Sequence, residues 1–342
     1  MSNCRSKNHQ ILKALSDNLS AISSVKDVKD VKKNNKLDKC HEETKRLIQL
    51  MIEIINGKTD KNNQVVIISQ LTHEMLQHGT IRQLILLLEY IRFETRKEVV
   101  KLVKALLNQQ IVSSDHVIEK MFDQKLIYLL ISDYNMYEIA QSCGAILREC
   151  TNHNTLVRYI LQSENFLQLF EFTEIPQLEI SYDAFCTLQS ALSINKAAAS
   201  EYLDKNYEEF FSTCYTAINH DNYVSLRYCL MLLSSILHIR ANHSVRNRFI
   251  NDPENLRQMM KLLQHKSAKI KLDSYHIFKL FCVYENKSDD IANILSTNRD
   301  KILDYLKNFK SNHDDDKDKF NEEKAYLSKV LRQLPVHQDS KP

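Results

Sequence analysis

A chain of 342 residues with 46 basic and 43 acidic side chains carries a formal charge of only +3, too little and too interspersed to steer a polyanion. Three glycines (Gly57, Gly79, Gly144) and four prolines (Pro176, Pro253, Pro335, Pro342) fall several-fold short of average usage, which excludes phosphate-cradling loops and makes turn-rich sheets untenable. Apolar residues make up 43% of the chain, enough for a core, yet no uninterrupted apolar run approaches the roughly 18 residues of a membrane span. The expectation is an all-α protein.

The N-terminus MSNCRSKNHQ has no apolar signal region and carries Ser2 where myristoylation needs Gly, so the expected address is cytoplasmic. Ile11, Leu12, Leu15, Leu19 and Ile22 recur at helical spacing over residues 9–24. The charge-alternating stretch Val25–Lys39 reads as a solvated linker or frayed helix. Residues 1–40 are therefore expected to be an N-terminal helix plus linker, 41–336 a helical-repeat domain and 337–342 a disordered tail. From His41 onward helical segments follow one another with short gaps, and Gly57 and Gly79 each stand as a C-terminal stop. Near the end, Phe320–Leu334 reads as a closing helix whose charges supply the polar outer face that a terminal repeat needs.

Five apolar helical segments can be laid over one another. Anchored on Val100, Cys143, Ala184, Cys229 and Tyr275, they recur at spacings of 43, 41, 45 and 46 residues. HEAT and armadillo repeats have periods of about 40–47, whereas ankyrin and tetratricopeptide repeats sit near 33–34. There is room for two further helices between anchors, one of them short. The expected fold is an all-α, armadillo/HEAT-like right-handed α-solenoid of about six helical repeats.

Sites for chemistry fail in turn. No G-x-S-x-G elbow exists. His73 and His78 in HEMLQHG are five apart rather than four, which at about 100° per residue turns them away from a shared zinc ion. Asn312, Asp314, Asp316, Asp318 and Glu323 fall at calcium-loop positions, but Lys317 stands where the sharp turn demands Gly. Adjacent carboxylates such as Glu208–Glu209 and Glu322–Glu323 diverge from a helix and cannot flank a substrate. The eight cysteines form no C-x-x-C pair and mostly lie in apolar runs, as reduced structural thiols of an intracellular protein do. No base-stacking residue recurs once per repeat, as RNA readers require. No catalysis, cofactor, metal or nucleic acid is expected.

What remains is a surface. Around the segment Tyr223–Ile239 nearly every residue is apolar except one stripe, Tyr223, Arg227, Met231, Ser234 and His238, which spans about 80° of the helix. Tyr, Arg and Met are types enriched at protein interfaces.

Ordered segments then carry a likeness: LRECTNH (Leu147–His153), SEYLDKNYEEFF (Ser200–Phe211), NYVSLRYCLMLL (Asn222–Leu233), DPENLRQMMKLL (Asp252–Leu263), HIFKLF of the last repeat and FNEEKAYL (Phe320–Leu327). From about residue 10 to 336 the chain resembles the mouse protein 25 family, also called calcium-binding protein 39. The resemblance implies a non-catalytic scaffold that holds a protein kinase or pseudokinase in its active arrangement. The implied partners are the STRAD pseudokinase with its liver tumour-suppressor kinase complex, and sterile-twenty-type kinases. It implies a groove contact at Tyr223 and Arg227, and a pocket for a Trp-Glu-Phe tail at Arg240, Arg257 and Met260. Relatives carry Lys where this chain has Met231, Phe where it has His243, Lys where it has Thr297 and Lys where it has Arg257. Loss of one aromatic wall and one cation is expected to weaken tail binding by about 1–3 kcal/mol. A helical-repeat adaptor with non-kinase partners stays open as the alternative.

Overall fold

The computed structural model describes residues 2–24, 31–57, 61–109, 115–220, 222–309 and 317–334, and helices are the regular structure found among them. The chain divides into two compact units, 1–199 and 200–342. The first holds α1 (Ser2–Ser23), α2 (Val31–Asn56), α3 (Lys61–His78), α4 (Thr80–Leu86), α5 (Phe93–Leu107), α6 (Asp115–Met121) and α7 (Gln124–Ser132). A 3-10 turn (Asp133–Asn135) then leads to α8 (Tyr137–Cys150), α9 (Asn154–Leu161), α10 (Gln168–Phe172) and α11 (Leu178–Ser193). Helix α12 (Lys196–Lys205) carries the chain into the second unit. There follow α13 (Tyr207–Asn219), α14 (Tyr223–His238), a 3-10 turn (Arg240–Asn242), α15 (His243–Ile250), α16 (Pro253–Leu262), α17 (Ala268–Val283), α18 (Asp289–Thr297), α19 (Arg299–Asn308) and α20 (Lys317–Arg332).

Local chemistry sets the helix ends. Asn222 accepts hydrogen bonds from the backbone N–H groups of Val224 and Ser225 and so caps α14. Asp252 caps α16 through the N–H of Glu254, with Pro253 in the first helical position, where its missing N–H costs nothing. Gly79 has φ of +59°, a left-handed conformation that lets α3 stop and α4 start at once. Gly57 directly follows the end of α2. The second half of the charged stretch belongs to α2, which crosses residue 40 without a break. Residues 25–30, the acidic stretch 310–316 and the tail 337–342 lie outside the described residues.

Each unit is a stack of the helical-repeat kind expected. In the first, α2 packs on α5, α5 on α8 and α8 on α11; in the second, α14 packs on α17 and α17 on α20. Four of the five anchors, Cys143, Ala184, Cys229 and Tyr275, sit fully inside these helices, and the fifth, Val100, adjoins the buried Val99. Cys143, Cys150, Cys214, Cys229 and Cys282 are buried free thiols. Burial pushes Cys143 and Cys150 far up and Cys282 to about 12, which makes them poor nucleophiles.

Helices α8 and α11 are also joined by a buried polar network. Arg148 donates to Asp183 Oδ1 at 2.7 Å and to Thr187 Oγ1 at 2.8 Å, and Tyr134 Oη donates to Asp183 Oδ2 at 3.0 Å. Tyr134 is fully buried and lies 2.7 Å from the Thr187 hydroxyl. Every charged member is paired, the condition under which a buried network is tolerated.

Asp133, in the turn after α7, has no such support. Burial, and secondarily the Glu89 carboxylate, raise its pKa to about 6. The unfolded chain releases that proton near the ordinary value of about 3.9, so the native state binds more protons between about pH 4 and 6. The contribution to stability is full below pH 4 and is lost as pH rises through 6. Asp133→Asn is therefore expected to stabilise the protein by about 1 kcal/mol above pH 6, a figure reduced for partial solvent screening. Urea denaturation should show that gain at neutral pH and its disappearance near pH 4.

Candidate functional site

Helix α14 carries the stripe read from the sequence. Ser225, Leu226, Cys229, Leu230, Leu232, Leu233, Ile236 and Leu237 are its buried face. Tyr223 and His238 are exposed, while Arg227, Met231 and Ser234 are half-buried between them. The stripe is thus the side of α14 that the core leaves out.

Helix α17 meets this stripe from the next repeat. Asp273 Oδ2 accepts from Arg227 Nε at 3.3 Å, with the arginine side chain 33% exposed and the aspartate 17%. Desolvation raises the Asp273 pKa and outweighs the opposing pull of Arg227 and Lys269. Ser267, which precedes α17, places its hydroxyl 3.5 Å from the Tyr223 hydroxyl. Further along, burial lowers the His276 pKa, and the neighbouring cation Lys279 lowers it more. Lys279 itself pairs with Glu323 of α20 at 3.0 Å. In the first unit, Lys104 pairs with Glu149 at 2.8 Å and Arg148 with Asp183 at 2.7 Å in the same helix-to-helix manner. Sequence reasoning did not find these pairs. In three of them the signal is opposite charge one repeat apart, at 46, 44 and 45 residues, whereas Arg148 and Asp183 are 35 apart.

The second group of expected residues lies around a corner. After α14 the extended residue Ile239 breaks the helix, and the segment from Arg240 to Ile250 runs at 87° to it. Arg240 opens the 3-10 turn and His243 opens α15, and both are exposed. Two buried asparagines hold the short helix at its ends. Asn242 Nδ2 donates to the Ile236 carbonyl at 2.8 Å, and Asn255 Nδ2 donates to the Phe249 carbonyl at 3.0 Å. Arg257 and Met260 lie three apart on α16 and so share a face. Met260 is half-buried, and Arg257 is exposed and paired with Glu254 at 3.0 Å. Thr297 is the exposed last residue of α18, which packs against α16. Among the described residues no hydrogen bond or ion pair joins any two of Arg240, His243, Arg257, Met260 and Thr297. The structure places them on neighbouring elements without linking them.

His73 and His78 are engaged separately, His73 with Gln77 and His78 against the ring of His9 at 5.3 Å. Among the described residues no group of three or more His, Cys, Asp or Glu is arranged to hold a metal ion. Lys317, Asp318 and Glu323 of the calcium-like stretch fall within α20, a helix rather than a loop. No single described helix is long and apolar enough to cross a membrane.

Stacked helices whose distinctive groups lie on exposed helix faces define a helical-repeat protein. The match is specific: the chain belongs to the Mo25-like family, whose model spans residues 2–335. It is 33% identical over 334 residues to calcium-binding protein 39-like of Mus musculus, covering 96% of each chain. It is 31% identical to the Mo25-like protein of Schizosaccharomyces pombe, covering 97% of this chain and 98% of that one. Over 304 residues it is 35% identical to MO25-like protein 2 of Caenorhabditis elegans, covering 88% and 89%. Among solved structures, a computationally designed armadillo repeat protein for modular peptide recognition aligns with a TM-score of 0.43 at 13% identity, over 80% of this chain and 99% of that one.

Proposed function

We propose that the protein is a non-catalytic scaffold that binds and allosterically activates a protein kinase or pseudokinase of the STRAD or sterile-twenty type. The observation that carries this reading is the α14 stripe: Tyr223, Arg227 and Met231 lie together outside the core, on a face whose arginine and tyrosine are steadied by α17. Binding the closed form of the kinase better than the open form shifts the kinase toward activity, since a ligand moves an equilibrium only by its difference in affinity for the two states. A Trp-Glu-Phe tail is the proposed second contact. Met260 would offer apolar surface to an aromatic, and Arg240 would offset the glutamate or the terminal carboxylate.

The test is a titration of the full chain with a peptide ending in Trp-Glu-Phe, alongside Met260→Ala and Arg240→Ala variants. Each substitution is expected to weaken binding by about tenfold, as removal of an interface anchor does. A wild-type chain that neither binds the peptide nor stimulates any sterile-twenty-type kinase overturns the proposal. The adaptor reading with non-kinase partners then takes its place, in line with the departures at Met231, His243 and Thr297 that the family resemblance implies.

A further inference from the structure

Arg227 meets Asp273 in an unusual way for a residue offered to a partner. The contact is made by Nε, the inner donor, at 3.3 Å. The two terminal nitrogens form the outer fork of the guanidinium, and no hydrogen bond or ion pair of theirs to another described residue is present. The arginine is one-third exposed and its partner carboxylate more than four-fifths covered, so the aspartate is the inner member of the pair and the arginine the accessible one. A free surface arginine samples many rotamers, and ordering it on binding costs about 0.5–1.5 kcal/mol. One held by its Nε has lost part of that freedom in advance. Tyr223, one turn before Arg227, lies 3.5 Å from the hydroxyl of Ser267 at the start of α17, so Tyr223 and Arg227 are both approached from the next repeat.

We infer that Asp273 is a positioning residue, which holds Arg227 through Nε so that its outer fork is presented to a carboxylate of the partner protein. This rests on the proposed use of the α14 stripe. It also assigns the partner's contacting chemistry. A planar carboxylate taken end-on by two parallel N–H donors matches the fork, whereas a lone hydroxyl or amide oxygen leaves one donor empty. The negative post behind the arginine halves neither donor, but it reduces the net positive field that a partner feels at long range.

Asp273→Asn and Asp273→Ala separate position from charge. The asparagine keeps an oxygen for Nε and removes the opposing charge, whereas the alanine removes both. The full chain and its variants are titrated with a purified STRAD-type pseudokinase at about 50 and 300 mM salt, a range over which the Debye length falls by roughly half. Asp273→Ala is expected to bind about tenfold more weakly than wild type. Asp273→Asn should bind at least as tightly at low salt and lose affinity more steeply at high salt. In an Arg227→Ala background the Asp273 variants should become indistinguishable. The Arg227 Nε–H resonance, read by NMR without any partner, should persist in wild type and Asp273→Asn and vanish in Asp273→Ala. Circular dichroism confirms that each variant is folded.

A resonance unaffected by Asp273→Ala overturns the inference whatever the partner does. So does an Asp273→Ala chain that binds like wild type while Arg227→Ala does not, or an asparagine variant as weak as the alanine one. A wild-type chain that ignores the pseudokinase and the Trp-Glu-Phe peptide and stimulates no sterile-twenty-type kinase, with the resonance behaving as expected, overturns the proposed function and leaves the anchoring of Arg227 standing.

Discussion

Gly144→Ala is expected to destabilise the protein by about 3 kcal/mol, because a buried network stands where the new methyl group must go. A Cβ at this position would lie 1.9 Å from Asp183 Oδ2, 2.2 Å from Tyr134 Oη and 3.0 Å from Arg148 Nη1. None of these atoms can retreat freely. Tyr134 has no exposed surface, and Asp183 is held by both Tyr134 and Arg148. Moving either side chain breaks a charge-assisted hydrogen bond and leaves a buried acceptor short of a donor. The higher helix propensity of alanine, about 1 kcal/mol in an open helix, offsets only part of this. Urea denaturation followed by circular dichroism measures the loss. A change below about 1 kcal/mol would mean that the network yields without penalty and that α8 and α11 are joined by their apolar contacts alone.

Phe249→Ala should be the more damaging change in the second unit, at about 4 kcal/mol. The ring is 1% exposed and bridges Phe211 and Phe281, with centroids 5.4 and 5.8 Å away. It is the main anchor of a helix only eight residues long, too short to hold itself. The asparagine bonds at either end depend on α15 staying in place, since one of them ends on the Phe249 carbonyl. His243 opens that helix and Arg240 opens the 3-10 turn that leads into it, so the Trp-Glu-Phe peptide is expected to bind more weakly as well. Denaturation and peptide titration on the same sample test both halves. Loss of stability with unchanged peptide binding would show that the corner residues take no part in the pocket.

Much of this was written in local patterns. The 41–46 residue recurrence of Cys143, Ala184, Cys229 and Tyr275 marks the core-facing helices because apolar residues must repeat wherever a unit packs on its neighbour. The α14 stripe was legible for the complementary reason: polar residues at helical spacing in an apolar run must face outward. Asn222 and the Asp252–Pro253 pair announce helix starts through hydrogen bonds spanning two or three residues. The residues proposed for the tail pocket were another matter. Arg240, His243, Arg257, Met260 and Thr297 came from resemblance to a family, and no spacing rule brings five residues on four elements together.

By itself, then, the sequence determined an all-α repeat protein and the exposed face of α14. These follow from periodicities of three to four residues within a helix and of about 40 between helices. Only the tertiary structure decided that Arg227 rests against Asp273, that Gly144 makes room for a tyrosine and an ion pair, and that two asparagines fasten α15. Each of the first two joins residues on helices from different repeats, and the asparagines grip backbone carbonyls across a helix break. Such contacts depend on how helices lie against one another, and that is set by packing rather than by local pattern.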